Sequence, residues 1–148
     1  MRFFVIIFLC IFPFHAHACS CGSSNDTAAL FKRASAVILA EITNTKAVKS
    51  EYNDHDVEYI IADINILDTF KQPKHPITQV LDLVPDGGNC SIGLVAGMEY
   101  LFFIDNNDEE DPELETNNYV GACTGSHHVN IYHKDFQTES DKLRALGQ

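Results

Sequence analysis

Residues 16–21 read Ala-His-Ala-Cys-Ser-Cys, and they guide the interpretation of everything that follows. An A-x-A pattern closely follows the apolar run 3–14, and Arg2 supplies the positive charge that precedes that run. This arrangement is typical of a secretory signal peptide. The apolar run has 12 residues, well short of the roughly 20 needed to cross a bilayer. We therefore predict a signal peptide over residues 1–18, no membrane span, and an exported chain (secreted and extracellular, or periplasmic in a bacterium) that begins at Cys19.

Size and charge limit the classes of function open to this chain. Removal of residues 1–18 leaves 130 of the 148 residues, the usual size of one domain, and no repeat or linker divides them. Because the removed segment carries only the charge of Arg2, the formal net charge changes from −11 to −12. Nucleic acids and anionic lipids bind basic surfaces, so neither is expected as a partner. We predict a single domain over residues 19–148 and expect a monomer.

Four cysteines remain in the exported chain, at positions 19, 21, 90 and 123. An even number of cysteines in an oxidising compartment is typical of disulfides. A bond between Cys19 and Cys21 is unfavourable, because residues two apart in an extended chain lie about 6.5 Å apart with parallel Cβ directions. Each of them therefore pairs with Cys90 or with Cys123, and the order stays open at this point. A four-thiolate metal site is the weaker alternative, since exported thiols oxidise and paired C-x₂-C knuckles are absent.

The pattern of apolar and polar residues predicts a mainly β-structure. Runs of β-branched and aromatic residues between turn residues are typical of strands, and a capping residue before an apolar periodicity indicates a helix. Strands are predicted over residues 34–43, 57–70, 77–84, 100–104 and 129–132, and short helices over 26–33 (capped by Asp26) and 138–146 (capped by Thr138 with Asp141). About five strands with one or two helices favour a small barrel or sandwich.

Two polar stretches are predicted to be loops. Residues 44–56 are rich in charge and are interpreted as a long hairpin connection between the first two strands. The acidic run 105–115 lacks the central glycine and the terminal glutamate of a calcium-binding loop, so a solvated loop is the better interpretation. Weak cation binding there remains an alternative.

The histidines at positions 127, 128 and 133 are the residues that most suggest an enzyme or a metal site. No H-E-x-x-H motif or comparable carboxylate partner surrounds them in the sequence, and they are interpreted as solvated side chains. The remaining cysteines are assigned to disulfides, so no nucleophile–base pattern can be assembled. We predict that the protein is not an enzyme and has no cofactor of its own.

Several features follow one another along the chain, namely Cys19-Ser20-Cys21, Phe31, Ala36-Val37-Ile38-Leu39-Ala40, Thr69-Phe70-Lys71, Pro85, Cys90, Leu94, Glu99-Tyr100-Leu101 and Cys123. Their order resembles the tissue inhibitor of metalloproteinases (TIMP) family, whose inhibitory part is a netrin-like (NTR) domain. The resemblance implies a mainly β fold, a five-stranded OB-fold-type barrel with one or two short helices and two disulfides. The third disulfide of the family's module has no counterpart here.

The same resemblance implies a function, namely inhibition of zinc metalloendopeptidases. The α-amine and carbonyl oxygen of Cys19 would chelate the zinc of the target protease, and Ser20 would point into the pocket beside that zinc. Residues 88–90, which are Gly88, Asn89 and Cys90, would lie alongside and complete a protease-binding surface with Cys19, Ser20 and Cys21. The implied disulfides are Cys19–Cys90 and Cys21–Cys123. The only zinc involved would belong to the protease.

Two other functions remain open for the exported chain. Ala16-His17-Ala18-Cys19 places a cysteine where bacterial lipidation occurs, and an acylated Cys19 amine could not bind zinc. A lipidated envelope protein and a zinc-chelating inhibitor therefore exclude each other. The third interpretation is an NTR-like adhesion or protein-binding module without inhibitory activity, because one fold supports many partners.

Overall fold

A closed ring of strands and two helices make up the part of the chain that the computed structural model describes, residues 21, 26–52, 55–85, 90–106, 114 and 116–148. The predicted signal peptide, residues 1–18, lies outside these residues. In chain order the elements are helix α1 (Thr27–Arg33), strands β1 (Ala36–Tyr52), β2 (His55–Lys71), β3 (Gln79–Leu83), β4 (Glu99–Asn106) and β5 (Asn118–Tyr119), a 3₁₀ turn (Ala122–Thr124), strand β6 (His127–His128) and helix α2 (Lys134–Leu146).

Five of the strands close on one another. β1 pairs antiparallel with β2 along one edge and with β4 along the other, and β2 pairs antiparallel with β3. The ring is completed by β5, which pairs parallel with β3 through Leu81 and Tyr119 and antiparallel with the end of β4. The two residues of β6 add to the start of β4. The mainly β character and the two helices expected from the sequence are confirmed.

Residues 36–42 of β1 and residues 100–104 of β4 are buried on both faces, which explains their almost continuous apolar sequences. Ile38 and Phe102 lie opposite each other in the pairing and belong to the cluster that the ring encloses. The next residues along the strands, Leu39 and Leu101, belong to a second cluster. The two helices cover this second face with Leu30, Phe31, Phe136 and Leu143. Successive side chains of a strand point to opposite faces, so burial of both faces removes the usual apolar–polar alternation.

The prediction of a hairpin loop over residues 44–56 is wrong. β1 continues through Tyr52, β2 begins at His55, and the two strands stay paired throughout, for example between Lys49 and Glu58. Most side chains over residues 44–49 are exposed, and this part of β1 pairs with β2 alone. It is a solvated edge strand, which we call the ribbon, and residues 59–63 of β2 beside it also pair with β3. This edge of β1 is held by backbone pairing with β2 and needs no apolar face of its own, so its polar sequence resembles that of a loop.

The predicted boundaries near the C-terminal end also need correction. The last strand is β6, and residues 129–132 belong to no strand, although the Val129 N–H donates to the Glu99 carbonyl at 3.0 Å. Helix α2 begins at Lys134 with His133 as its N-cap, whose Nδ1 accepts from the Asp135 N–H at 3.3 Å. Thr138 lies inside the helix, where its hydroxyl donates to the Lys134 carbonyl, so it is not the cap.

Two further predictions concern the acidic run and the membrane. Asp105 is a residue of β4 and pairs with Tyr119, so the run 105–115 does not begin as a loop. Of the rest of the run, the described residues are Asn106, also in β4, and Leu114. Among the described residues, no helix combines the length and the apolar character needed to cross a bilayer.

Candidate functional site

Three cysteine sulfurs meet at one place on the ring. A disulfide joins Cys21 to Cys123, which is 102 positions away, with their Cα atoms 5.1 Å apart. The Sγ atoms of Cys21, Cys90 and Cys123 all lie within 4.8 Å of one another. Cys90 is also disulfide-bonded, and its partner lies outside the described residues. Because all three sulfurs are in disulfides, they do not form the thiolate metal site considered as an alternative.

Hydrogen bonds attach this cysteine cluster, defined as Cys21, Cys90 and Cys123, to its surroundings. The Ala122 N–H donates to the Cys90 carbonyl at 2.7 Å, and the Arg33 Nη2 donates to the Cys123 carbonyl at 2.6 Å. The first bond holds the segment that contains Cys90 against the 3₁₀ turn, and the second joins that turn to α1. The cluster is therefore held by main-chain contacts as well as by sulfur bonds.

The turn after Cys123 depends on a glycine. Gly125 has φ +96°, a conformation that favours glycine. A Cβ atom at this position would approach Leu30 Cδ1 to 2.7 Å. The absence of a side chain thus allows the turn to pack against α1, directly beside the disulfide.

A buried carboxylate fixes the segment that follows Cys90. The side chain of Asp82 in β3 is fully buried, and its Oδ2 accepts from the Ser91 hydroxyl at 2.8 Å and from the Ile92 N–H at 2.9 Å. A weaker contact at 3.3 Å comes from the Gly93 N–H. Burial raises the pKa of the Asp82 carboxyl, because desolvation disfavours the charge, while these hydrogen bonds oppose the rise. Asp82 was not among the predicted site residues, although a lone aspartate within the apolar run Val80–Val84 is the signal that could have found it.

The structure brings together only part of the predicted protease-binding surface. Cys21 and Cys90 are neighbours in the cysteine cluster, and their sulfurs are within 4.8 Å. Cys19, Ser20, Gly88 and Asn89 lie outside the described residues. The Cys21–Cys123 bond is the pairing that the family resemblance implies, whereas the pairing of Cys19 with Cys90 stays a prediction.

A second polar group lies between β6 and α2. His127 Nδ1 is 2.9 Å from the Gly125 carbonyl oxygen, and its Nε2 is 3.2 Å from Glu139 Oε2. Nearby, His133 Nδ1 is 3.3 Å from Asp135 Oδ2. These side chains line an open groove with His128, which also makes an edge contact with the Tyr100 ring.

The carboxylates change the interpretation of these histidines. The hydrogen bond to Glu139 raises the pKa of His127, and the Gly125 carbonyl acts in the same direction, while burial opposes both. The prediction that no carboxylate partner surrounds the histidines is therefore wrong for His127, whereas the side chains of His133 and Asp135 are largely exposed. Glu139 is 12 residues away from His127 in sequence, and no local motif links them.

The two polar groups offer different chemistry. The cysteine cluster holds chain segments in place, whereas the groove presents imidazole and carboxylate groups to solvent. No family model matches this chain, and no curated protein is significantly similar to it. The assignment of function therefore depends on what these two arrangements can do.

Proposed function

We propose that the exported chain inhibits zinc metalloendopeptidases by placing the α-amine and carbonyl oxygen of Cys19 on the protease's catalytic zinc. The observation that carries this proposal is the disulfide between Cys21 and Cys123. It fixes a residue two positions from the proposed chelating group onto the body of the fold. As part of the same proposal, the five-stranded ring is an OB-fold-type barrel of the TIMP and NTR kind.

The reach of the chain supports this assignment. Two residues of extended chain span at most about 7 Å, so Cys19 cannot move farther than this from the anchored Cα of Cys21. If Cys19 also pairs with Cys90, as we propose, the chelating end is held by two bonds. A group ordered before binding avoids the entropic cost of being ordered in the complex.

The chemistry of the two partners is complementary. A catalytic zinc keeps one coordination position for water or substrate. A free α-amine has a pKa of about 7.7–8.0, so its neutral, metal-binding form is accessible near neutral pH. Together with the carbonyl oxygen of the same residue, it closes a five-membered chelate that displaces the water.

The remaining contacts follow from this geometry. Ser20 would enter the pocket beside the zinc, and Gly88, Asn89 and Cys90 would lie along the same surface. The buried Asp82 supports this arrangement, because it fixes the backbone directly after Cys90. In this proposal the protein acts as a monomer without catalytic activity and inhibits through the zinc of its target.

The test compares two forms of the exported protein against a panel of zinc endopeptidases. One form begins at Cys19, and the other carries a single additional alanine before it. We expect inhibition by the first form and at least a hundredfold loss in the second, because an amide nitrogen replaces the amine. A form with one alanine added after Gln148 is the matched control and should inhibit normally.

Three outcomes contradict the proposal. Equal inhibition by the form with the additional alanine before Cys19 excludes the chelate. If the form that begins at Cys19 inhibits none of the proteases in the panel, the NTR-like binding module is favoured. An intact mass that includes acyl chains on Cys19 identifies the lipidated envelope protein instead.

A further inference from the structure

We propose that the groove between β6 and α2 binds a divalent transition-metal ion of the Zn²⁺ class. His127 and Glu139 supply the first two ligands, and Asp135 and His133, which line the same groove, would complete the coordination. This site is separate from the proposed chelating end and does not depend on it. Nitrogen and carboxylate oxygen are both ordinary zinc ligands.

The orientation of His127 supports this site. The Gly125 carbonyl can only accept a hydrogen bond, so Nδ1 carries the hydrogen in their 2.9 Å contact. Nε2 is then the nitrogen left for a metal, and it faces Glu139. Metal-ligating histidines commonly donate their second ring N–H to a carbonyl or carboxylate in this way, which fixes the ring.

The spacing of the two ligand atoms fits an ion between them. Zinc–nitrogen and zinc–oxygen bonds of about 2.0–2.2 Å, at ligand angles between octahedral and tetrahedral, place the two donor atoms roughly 2.8–3.6 Å apart. The observed separation of His127 Nε2 and Glu139 Oε2 is 3.2 Å. In the metal-free pair a proton occupies this contact, and the ion would replace it.

Helix α2 adds negative charge on the same side. Asp135 and Glu139 are four residues apart, so they lie on one face of the helix, where like charges repel. Both line the groove, as does His133, which precedes the helix. The side chain of Asp135 is 80% exposed, so a change of rotamer can bring its carboxylate toward the pair. A bound cation would relieve the repulsion.

The coordination is not preassembled in the structure. Among the described residues, the cysteine cluster is the only set of three potential ligand atoms that all lie within 4.8 Å of one another. Binding therefore involves movement of the exposed side chains around a fixed pair. The expected affinity is lower than that of a rigid structural zinc site.

Isothermal titration of the full exported chain with ZnCl₂ tests the site. We expect one ion per chain, and at least a tenfold weaker affinity in both His127→Ala and Glu139→Gln. His75→Ala removes an exposed histidine elsewhere and should bind as the unmodified protein does. Affinity unchanged in His127→Ala and Glu139→Gln, or no binding by the unmodified chain, would overturn the proposal.

Thermal unfolding gives an independent measurement. Zn²⁺ should raise the midpoint of the unmodified protein by mass action and raise that of Glu139→Gln by clearly less at the same concentration. Glu139→Gln keeps a hydrogen-bonding side chain and should stay folded even if His127→Ala does not. The form with an extra alanine before Cys19 should retain the shift, and loss of the shift in that form would assign the ion to the chain's amine instead.

Discussion

The two halves of β1 share one backbone conformation and differ in almost everything around it. Residues 36–42 pair with β2 on one edge and β4 on the other, and most of their side chains are buried. Residues 44–52 pair with β2 alone, and most side chains over residues 44–49, the ribbon, are exposed. Packing stabilises the first half, whereas backbone pairing defines the second. The comparison shows that a strand in this protein need not have an apolar face.

Removal of the Cys21–Cys123 disulfide should cause the largest loss of stability. We expect the loss to be confined to the ring of strands. In the chain-entropy model a loop of about 100 residues is worth roughly 4–5 kcal/mol, and removal of native disulfides typically costs about 2–5. We expect Cys21→Ala with Cys123→Ala to lower the free energy of unfolding by about 3–4 kcal/mol, measured by urea denaturation.

Hydrogen exchange of the same double variant locates the loss. Amides of β4 and of residues 36–42 should exchange faster, while the ribbon amides should keep their rates. Faster exchange that begins in the ribbon would mean that the two halves of β1 unfold as one unit.

A matched pair of truncations within β1 tests the contrast directly. Ile38 is fully buried, so Ile38→Ala loses apolar contacts and leaves a cavity, at a cost of about 3 kcal/mol. Val48 is only partly buried in the ribbon, and Val48→Ala should cost less than about 1 kcal/mol. Urea midpoints of the two variants provide the comparison, and equal losses would refute it.

The same contrast explains which parts of the fold could be predicted. α1 is capped by Asp26, whose side chain accepts from the Ala29 N–H, and a local motif of this kind is visible in sequence. The double-faced burial of β4 likewise leaves an apolar run. The ribbon has no such pattern, and the two residues of β5 depend on a parallel pairing with Leu81 that no local signal indicates.

The sequence predicted the cysteines of the candidate site, but not the hydrogen bonds between residues that are distant along the chain. Counting cysteines predicted the disulfide bonding of Cys21, Cys90 and Cys123, but the pairing of Cys21 with Cys123 came only from a family resemblance. Asp82 Oδ2 accepts hydrogen bonds from residues 9 to 11 positions farther along the chain. The hydrogen bond between His127 and Glu139 joins residues 12 positions apart. These contacts depend on how the strands and helices pack, and the spacing of residues along the sequence does not predict that packing.

The smallest effects are expected from two aspartates, one in the ring and one at the base of the ribbon, with opposite dependence on pH. Burial raises the pKa of Asp82 above its ordinary 3.8, so the folded state binds more protons than the unfolded state just above that pH. Its contribution to stability therefore falls as pH rises from about 4 through the folded pKa, and is constant beyond it. Each unit of elevation corresponds to about 1.4 kcal/mol.

Asp63 in β2 supplies the opposite sign. Hydrogen bonds from Gln79 and Asn44 lower the pKa of this exposed carboxyl, so its contribution is present above pH 4 and is lost as pH falls through the folded pKa. Urea denaturation between pH 3 and 7 of the unmodified protein, Asp82→Asn and Asp63→Asn measures both. The difference in unfolding free energy between the unmodified protein and Asp82→Asn should change with pH above pH 4, because desolvation dominates the pKa of Asp82. The difference for Asp63→Asn should change only below pH 4, because hydrogen bonding dominates the pKa of Asp63. Differences that change in the same direction and pH range would show that the two carboxyls share one environment.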